Sequence, residues 1–246
     1  MIQLQDYSHS RGQFRSPQAE FWAGARDILP LIIGAIPFGI IFGTLATSNG
    51  LSIGGALAMS AFVFAGSSQF IAVGLVAAGT GWWLIVLTTF IVNLRHLLYA
   101  VSLLPYVQSL PRRWQTVLAF FLTDESFAVA IRRYEQADGA PMKHWHHLGA
   151  SVTMYGSWLL STLLGITIGQ TLPNAANWGL DFAMSVTFIG MIVPYVKTQP
   201  MAIATLISGS VALLAYPLPH KLGLIVAAIA GIAAGVLSER TLTHPR

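Results

Sequence analysis

The sequence predicts an all-α fold, a polytopic membrane helical bundle of about eight transmembrane helices, on three observations. Apolar residues make up 54% of the chain, charged residues only 9%, and the mean hydropathy is +0.65. A soluble domain carries roughly 25% charged residues, so this much carbon must face lipid and the backbone must satisfy its own hydrogen bonds. The apolar stretches are long and continuous, not alternating over about ten residues, which selects helices over a β-barrel. Finally, 246 residues divided among such stretches and short loops leave no room for a sizeable soluble catalytic domain.

The elements follow in chain order. Residues 1–26 are polar, carry Arg11, Arg15, Pro17 and Arg26, lack the apolar core of a signal peptide, and read as a cytosolic leader. The first helix is expected over 28–48, started by Pro30 and kinked by Pro37. The second, over 54–78, is interrupted at Gly66-Ser67-Ser68. It reads either as one broken crossing or as two half-helices that return to their own side. A third helix over 82–104 and a fourth over 115–133 precede a basic loop at 134–147. There His144, His146 and His147 stand beside Lys143 and Trp145 and read as solvated interface, not as a metal cluster. Helices over 147–170, 178–196, 200–216 and 219–238 complete a transmembrane domain at 27–238, and 239–246 is a cytosolic tail. Gly39 and Gly43, Gly165 and Gly169, and Gly231 and Gly235 have the spacing that lets helices pack closely inside a bundle.

Charge distribution bears on the topology. With eight crossings and the N-terminus inside, the inner loops hold Arg11, Arg15, Arg26, Arg132, Arg133, Lys143, Lys197, Arg240 and Arg246, against Arg112, Arg113 and Lys221 outside. If 54–78 returns to its own side the same cations split evenly, so the positive-inside rule favours eight crossings with both termini cytosolic. The net charge of +4 is spread over loops and is no nucleic-acid signature, and the absence of cysteine excludes disulfides, thiolate metal sites and cysteine nucleophiles. No cofactor is expected.

A weak internal repeat, at an offset of 125 residues, relates Ala58-Met59-Ser60 to Ala183-Met184-Ser185. It suggests halves at 28–133 and 147–238, each with a break, at Gly66-Ser67-Ser68 and at Gly190 through Pro194. Matching broken helices in two halves point to a central binding site. Chance in alanine-rich helices also produces a three-residue match.

Polar residues at membrane depth carry the functional argument. Asn93, Arg95, His96 and Tyr99 lie within the third helix, and Asn93 joins Gly66, Ser67, Ser68 and Gln69 as a candidate for substrate binding. An arginine so deep needs a partner or water. Asp124 and Glu125 in the fourth helix are the obvious partners, and positions about 100° apart cannot face one guanidinium equally. One of them is expected to pair with Arg95, leaving a negative charge that a proton on Asp124, Glu125 or His96 balances. Such a group suits a coupling ion, a proton or, since a carboxylate beside unwound backbone holds either, sodium. The competing reading is a fixed network that locks two helices. At Gly66-Ser67-Ser68-Gln69 a serine-capped helix start would direct backbone N–H groups at a substrate carboxylate; an ordinary kink is the alternative. Phe38, Phe42, Met59, Phe62 and Phe64 are candidates for an apolar pocket, although each alone reads better as packing or lipid-facing.

Four motifs in order, Gly34-Ala35-Ile36-Pro37-Phe38-Gly39, Ala65-Gly66-Ser67-Ser68-Gln69-Phe70, Asn93-Leu94-Arg95-His96-Leu97-Leu98-Tyr99 and Thr123-Asp124-Glu125-Ser126-Phe127, resemble the AzlC-type branched-chain amino acid permeases. The resemblance runs from about residue 20 to residue 238. It implies a bacterial inner-membrane exporter of valine, leucine and isoleucine, and a small hydrophobic partner subunit of the AzlD type. Two other classes compete. An intramembrane serine protease would use Ser67 with His96, but neither serine is followed by the glycine of a Gly-x-Ser-Gly motif. An aspartyl protease built on Asp124 and Asp181 lacks glycine-rich context. A non-transporting scaffold explains the packing glycines and leaves the buried charges unexplained.

Overall fold

Serine and proline start the first described helix. In this computed structural model, which describes residues 15–171, 189, 193, 196–218 and 222–243, Ser16 accepts the Ala19 N–H at 3.2 Å and Pro17 occupies the first turn of α1 (Pro17–Asp27). This helix lies within the stretch read as a leader. Helix α2 (Leu29–Ser48) continues through Pro37 and gives way to Gly50 at φ +89°. Ser52 caps α3 (Ile53–Ala58), which passes into a π turn at Met59–Val63 and stops at Phe64, whose φ of +42° is left-handed. After extended Ala65, α4 (Gly66–Ala77) begins. Then follow α5 (Trp82–Val107), α6 (Arg112–Phe120), α7 (Asp124–Glu135), α8 (Lys143–Thr171), α9 (Gln199–Leu214) and α10 (Leu222–Thr243). The described residues contain no strand, and the all-α membrane bundle stands. Apart from Ile189, Val193 and Val196, the expected helix at 178–196 lies outside the described residues, as do Ala183-Met184-Ser185, Asp181, and Gly190 and Pro194 of the expected second break.

Among the described residues, three helices are long and apolar enough to cross a membrane: α2, α5 and the Lys143–Ile168 part of α8. Small residues decide how α2 and α8 meet. Asp27 reaches His146 at one end, and Thr44 Oγ1 donates to the Gly165 carbonyl at 2.8 Å near the other, so the two run parallel. A Cβ on Gly43 would lie 2.2 Å from the Thr162 carbonyl oxygen, and one on Gly165 would lie 2.0 Å from that of Ile40. Hence only glycine permits this separation. Gly231 and Gly235 likewise meet Ser208 and Ala204, holding α9 and α10 as an antiparallel pair.

Helix α5 runs the opposite way. Its last turns reach the end of the bundle where α8 begins, since Tyr106 stacks on Tyr134 with ring centroids 5.3 Å apart and Tyr134 in turn meets His147. Because α2 and α5 cross in opposite senses, the chain between them starts and ends at the same end of the bundle. The segments Ile53–Val63 and Gly66–Ala77 are therefore the two arms of a re-entrant hairpin. Each has 11 or 12 residues, about 17 Å of helix, half of a hydrocarbon core about 30 Å thick.

A second hairpin enters from the other end. Trp114 near the start of α6 touches His144 and Trp145, Phe121 at its end packs on Tyr155 deeper along α8, and α7 then returns alongside α5 through the stacked pairs Tyr99–Phe127 and Tyr106–Tyr134. The continuous helix expected over 115–133 is thus broken at Phe121–Thr123. The loop cations move accordingly. Arg112 and Arg113, counted outside in the eight-crossing scheme, stand at the same end as Arg26, Arg132, Arg133 and Lys143, while the turns at 49–52 and 78–81 carry no charge. Among the described residues these are the basic end and the neutral end of the bundle. Arg26, Arg112, Arg113, Arg132, Arg133 and Lys143 thus stand at one end, a distribution the positive-inside rule favours.

The histidines also differ from expectation. His146 and His147 are 2% and 1% exposed because α1 and α7 cover the first turns of α8, so they are no solvated loop. Ion pairs tie these elements together. Arg133 donates to both oxygens of Glu20, at 3.0 and 2.5 Å, and to Asp138 at 2.6 Å, with Glu20 1% exposed. Lys143, the Ala140 N–H and Arg133 hold the Asp138 carboxyl well below the usual carboxylate range. A depressed carboxylate stabilises above its unfolded pKa and loses that contribution only as pH falls through the folded value, so this link persists at neutral pH. Glu20→Gln keeps the shape and removes the charge that Arg133 requires. It is expected to destabilise by about 2–3 kcal/mol, seen as a lower thermal midpoint in detergent, whereas Asp138→Asn at the exposed partner stays close to wild type.

Candidate functional site

The tips of the two hairpins meet at the floor of a cavity of about 590 Å³. Its rim holds Asp27, Arg132 and Lys197, and along α2 its lining extends from Pro30 to Phe38, about 12 Å into the bundle. The floor is formed by Phe64 through Ser67 from the first tip, Thr123 through Glu125 from the second, Arg95 and His96 from α5, and Trp158 from α8.

Local sequence builds each tip. At the second, Thr123 Oγ1 accepts the Ser126 N–H at 3.3 Å while Ser126 Oγ accepts the Thr123 N–H at 2.8 Å, a reciprocal cap that starts α7. The cap places Asp124 and Glu125 in the first turn, where the helix dipole favours carboxylates. Arg95 Nη1 meets Asp124 Oδ2 at 2.5 Å, the pairing with one carboxylate that the sequence led us to expect. Glu125 lines the same cavity outside the ion pair. His96 turns Nδ1 to the Asn93 carbonyl of its own helix at 3.1 Å. At the first tip the N-cap is Ala65, with no side chain bonded to the helix start, not the serine expected from sequence. The first N–H groups of α4 consequently lack a side-chain acceptor beside the cavity.

Of the residues assigned to substrate from sequence, Gly66 and Ser67 line the cavity, and Ser68, Gln69 and Asn93 do not. Helical rotation of about 100° per residue turns Ser68 and Gln69 away, and both are fully buried. Ser68 Oγ donates to Ala65 at 3.2 Å, and Gln69 is held between Ser60 and Trp158. Arg95, His96, Asp124 and Glu125 all line the cavity. Among the apolar candidates, Phe38 and Phe64 line it, Phe42 and Met59 belong to the core, and Phe62 is 78% exposed. Trp158, Met154, Phe70 and the three rim charges were missed, because nothing local in the sequence says which face of a helix meets a tip. The break before Asp124 did have a local signal, Thr123 followed three positions later by Ser126.

Three buried polar atoms at the floor, Ser67 Oγ, Arg95 Nε and Asp124 Oδ1, have no partner among the described residues. A charged pair so incompletely satisfied is suited to an additional polar ligand. Ser67 and His96 share the cavity without a hydrogen bond, so the Ser-His arrangement of a protease is not formed. Gly66 lies under the Trp158 indole, where a Cβ would come within 3.0 Å of Cη2. Gly66→Ala is expected to displace the indole and change its fluorescence, while leaving the thermal midpoint within a few degrees. An unchanged emission spectrum would show that the floor is looser than this.

The AzlC protein family matches residues 30–172. The inner membrane protein YgaZ of Escherichia coli is 30% identical over 226 residues, 89% of this chain and 89% of its own length. An uncharacterized membrane protein of Archaeoglobus fulgidus is 31% identical over 220 residues, 88% of this chain and 94% of its length. The branched-chain amino acid transport protein AzlC of Bacillus subtilis is 27% identical over 176 residues, 70% of this chain and 68% of its length. No solved structure matches the chain. The four motifs, the membrane-buried ion pair at a broken helix, and these similarities over most of the length agree: the chain belongs to the AzlC protein family.

Proposed function

We propose that this chain is a secondary transporter that exports valine, leucine and isoleucine, coupled to protons, as the large subunit of a complex with a small AzlD-type membrane partner. The observation that carries the reading is the cavity, which reaches from the basic end to two hairpin tips and there combines an ion pair with an apolar wall. The substrate carboxylate is assigned to the uncapped start of α4, at Gly66 and Ser67. Its ammonium is assigned to Asp124 Oδ1, and its branched side chain to Phe38, Phe64, Phe70 and Met154. Asp124, Glu125 and His96 supply the protonation sites. By the positive-inside rule the basic end faces the cytosol of a bacterial inner membrane, so the cavity is open to the cytosol, as loading for export requires. The relative from Bacillus subtilis, named for branched-chain amino acid transport, supports the substrate class. A scaffold has no use for the polar cavity floor.

The test is efflux of labelled valine from proteoliposomes under an imposed pH gradient, with and without the small subunit. Gradient-dependent flux is expected. Absence of flux for all three amino acids, with the partner present and the protein folded, sinks the assignment.

A further inference from the structure

Behind the cavity floor a chain of polar side chains runs inward from Trp158. Trp158 Nε1 donates to Gln69 Oε1 at 3.2 Å, Gln69 Nε2 donates to Ser60 Oγ at 3.0 Å, and Ser60 Oγ meets Thr162 Oγ1 at 2.8 Å. Ser60, Gln69 and Thr162 are each 0% exposed. The chain starts at Trp158, which lines the cavity, and proceeds toward the neutral end, Thr162 lying one turn or about 6 Å further along α8. It joins both arms of the first hairpin to α8.

Burying these groups costs free energy that hydrogen bonds only offset, and apolar side chains would fill the same space without that cost. A permeation path, in contrast, needs polar walls when it opens. The hairpin also carries the features of a hinge. A π turn at Met59–Val63, bonded to α8 through Ser60 and the Ala61 carbonyl, leads into Phe64, a non-glycine residue at φ +42°. The geometry points to the Ser60–Gln69–Trp158–Thr162 chain as the lining of the second half of the path, shut in this structure. On opening, the first hairpin separates from α8. The hydroxyls and the Gln69 amide then face the passage and take the ammonium and carboxylate of a zwitterionic amino acid as it leaves for the neutral side. This inference rests on the transport reading for the identity of what passes, and on the hydrogen-bond chain alone for the location of the path.

The chain has no cysteine, so Thr162→Cys supplies a single thiol. In vesicles of known orientation, a membrane-impermeant maleimide is expected to label it from the neutral-end side, slowly at rest and several-fold faster in saturating valine with the small subunit present. No labelling from that side, at rest or with a mixture of amino acids, overturns the inference. The pair Ser60→Cys with Thr162→Cys replaces hydroxyls already within disulfide reach. Once oxidised, it is expected to lose labelled-valine flux by roughly tenfold or more and to regain it on reduction. Undiminished flux through the cross-linked protein also overturns it. Labelling requires no transported amino acid. A chain that moves none of the three, yet exposes Thr162→Cys to the neutral side, retains the path and loses the substrate assignment.

Discussion

Asp124→Asn is expected to abolish pH-gradient-driven valine efflux, by about 100-fold, while valine counterflow without a gradient is retained. A buried ion pair that loses one partner costs about 3–5 kcal/mol. Here the side chains of Arg95 and Asp124 are 27% and 17% exposed, so screening reduces that to about 2 kcal/mol, which the fold withstands. The larger consequence is chemical. Asparagine still accepts a hydrogen bond from Arg95, but it neither takes up nor releases a proton, so the step tied to the gradient fails and substrate exchange does not. Arg95→Gln leaves the carboxylate uncompensated and is expected to lose both activities. Were Asp124→Asn to drive efflux as well as the wild type does, coupling would not pass through this pair, and its role would be to join the second hairpin to α5. Loss of counterflow together with efflux would show that the substrate ammonium needs the charge of Asp124 and not its oxygen alone.

The largest effect on stability is expected for Gly165→Ala. The added Cβ would lie 2.0 Å from the Ile40 carbonyl oxygen and 2.7 Å from its carbon, far inside contact distance, and both atoms belong to a helix backbone that cannot step aside alone. Helices α2 and α8 must separate, with loss of the 2.8 Å bond from Thr44 to the Gly165 carbonyl. Overpacking of this kind costs about 3 kcal/mol or more. Gly156→Ala on the same helix is the control, because nothing lies within 4 Å of its Cβ position, and it should remain within about 0.5 kcal/mol. The measurement is thermal unfolding of both variants in one detergent. Equal midpoints would mean that the α2–α8 contact is not the rigid frame against which the hairpins are set.

The candidate site was legible wherever chemistry could be read from a single residue type out of place. Arg95 in an apolar helix demanded a carboxylate, and Asp124 and Glu125 were the available ones. Local bonding patterns decided the rest, and they reversed some assignments. Gln69 sits in a motif beside Ser67, but its side chain turns to Ser60 and Trp158, one rotation of the helix away from the cavity. Asn93 contributes a carbonyl to His96 instead of a side chain to the floor.

By itself the sequence determined the solvent of this protein, the approximate place of its described helices, the interruption near Gly66 and the existence of a buried charge pair, since each follows from hydropathy, from glycine and serine in an apolar run, or from the cost of an ion in lipid. Tertiary structure alone decided which segments cross. Two half-helices of about 17 Å have the same hydropathy whether they continue in one direction or turn back. Only the contacts of Trp114 with His144 and Trp145, and of Phe121 with Tyr155, show that 112–135 returns to the end from which it came. The choice of Asp124 over Glu125 has the same origin. Adjacent positions in a first turn point about 100° apart, and the direction of α5 along α7 selects the one that Arg95 can reach.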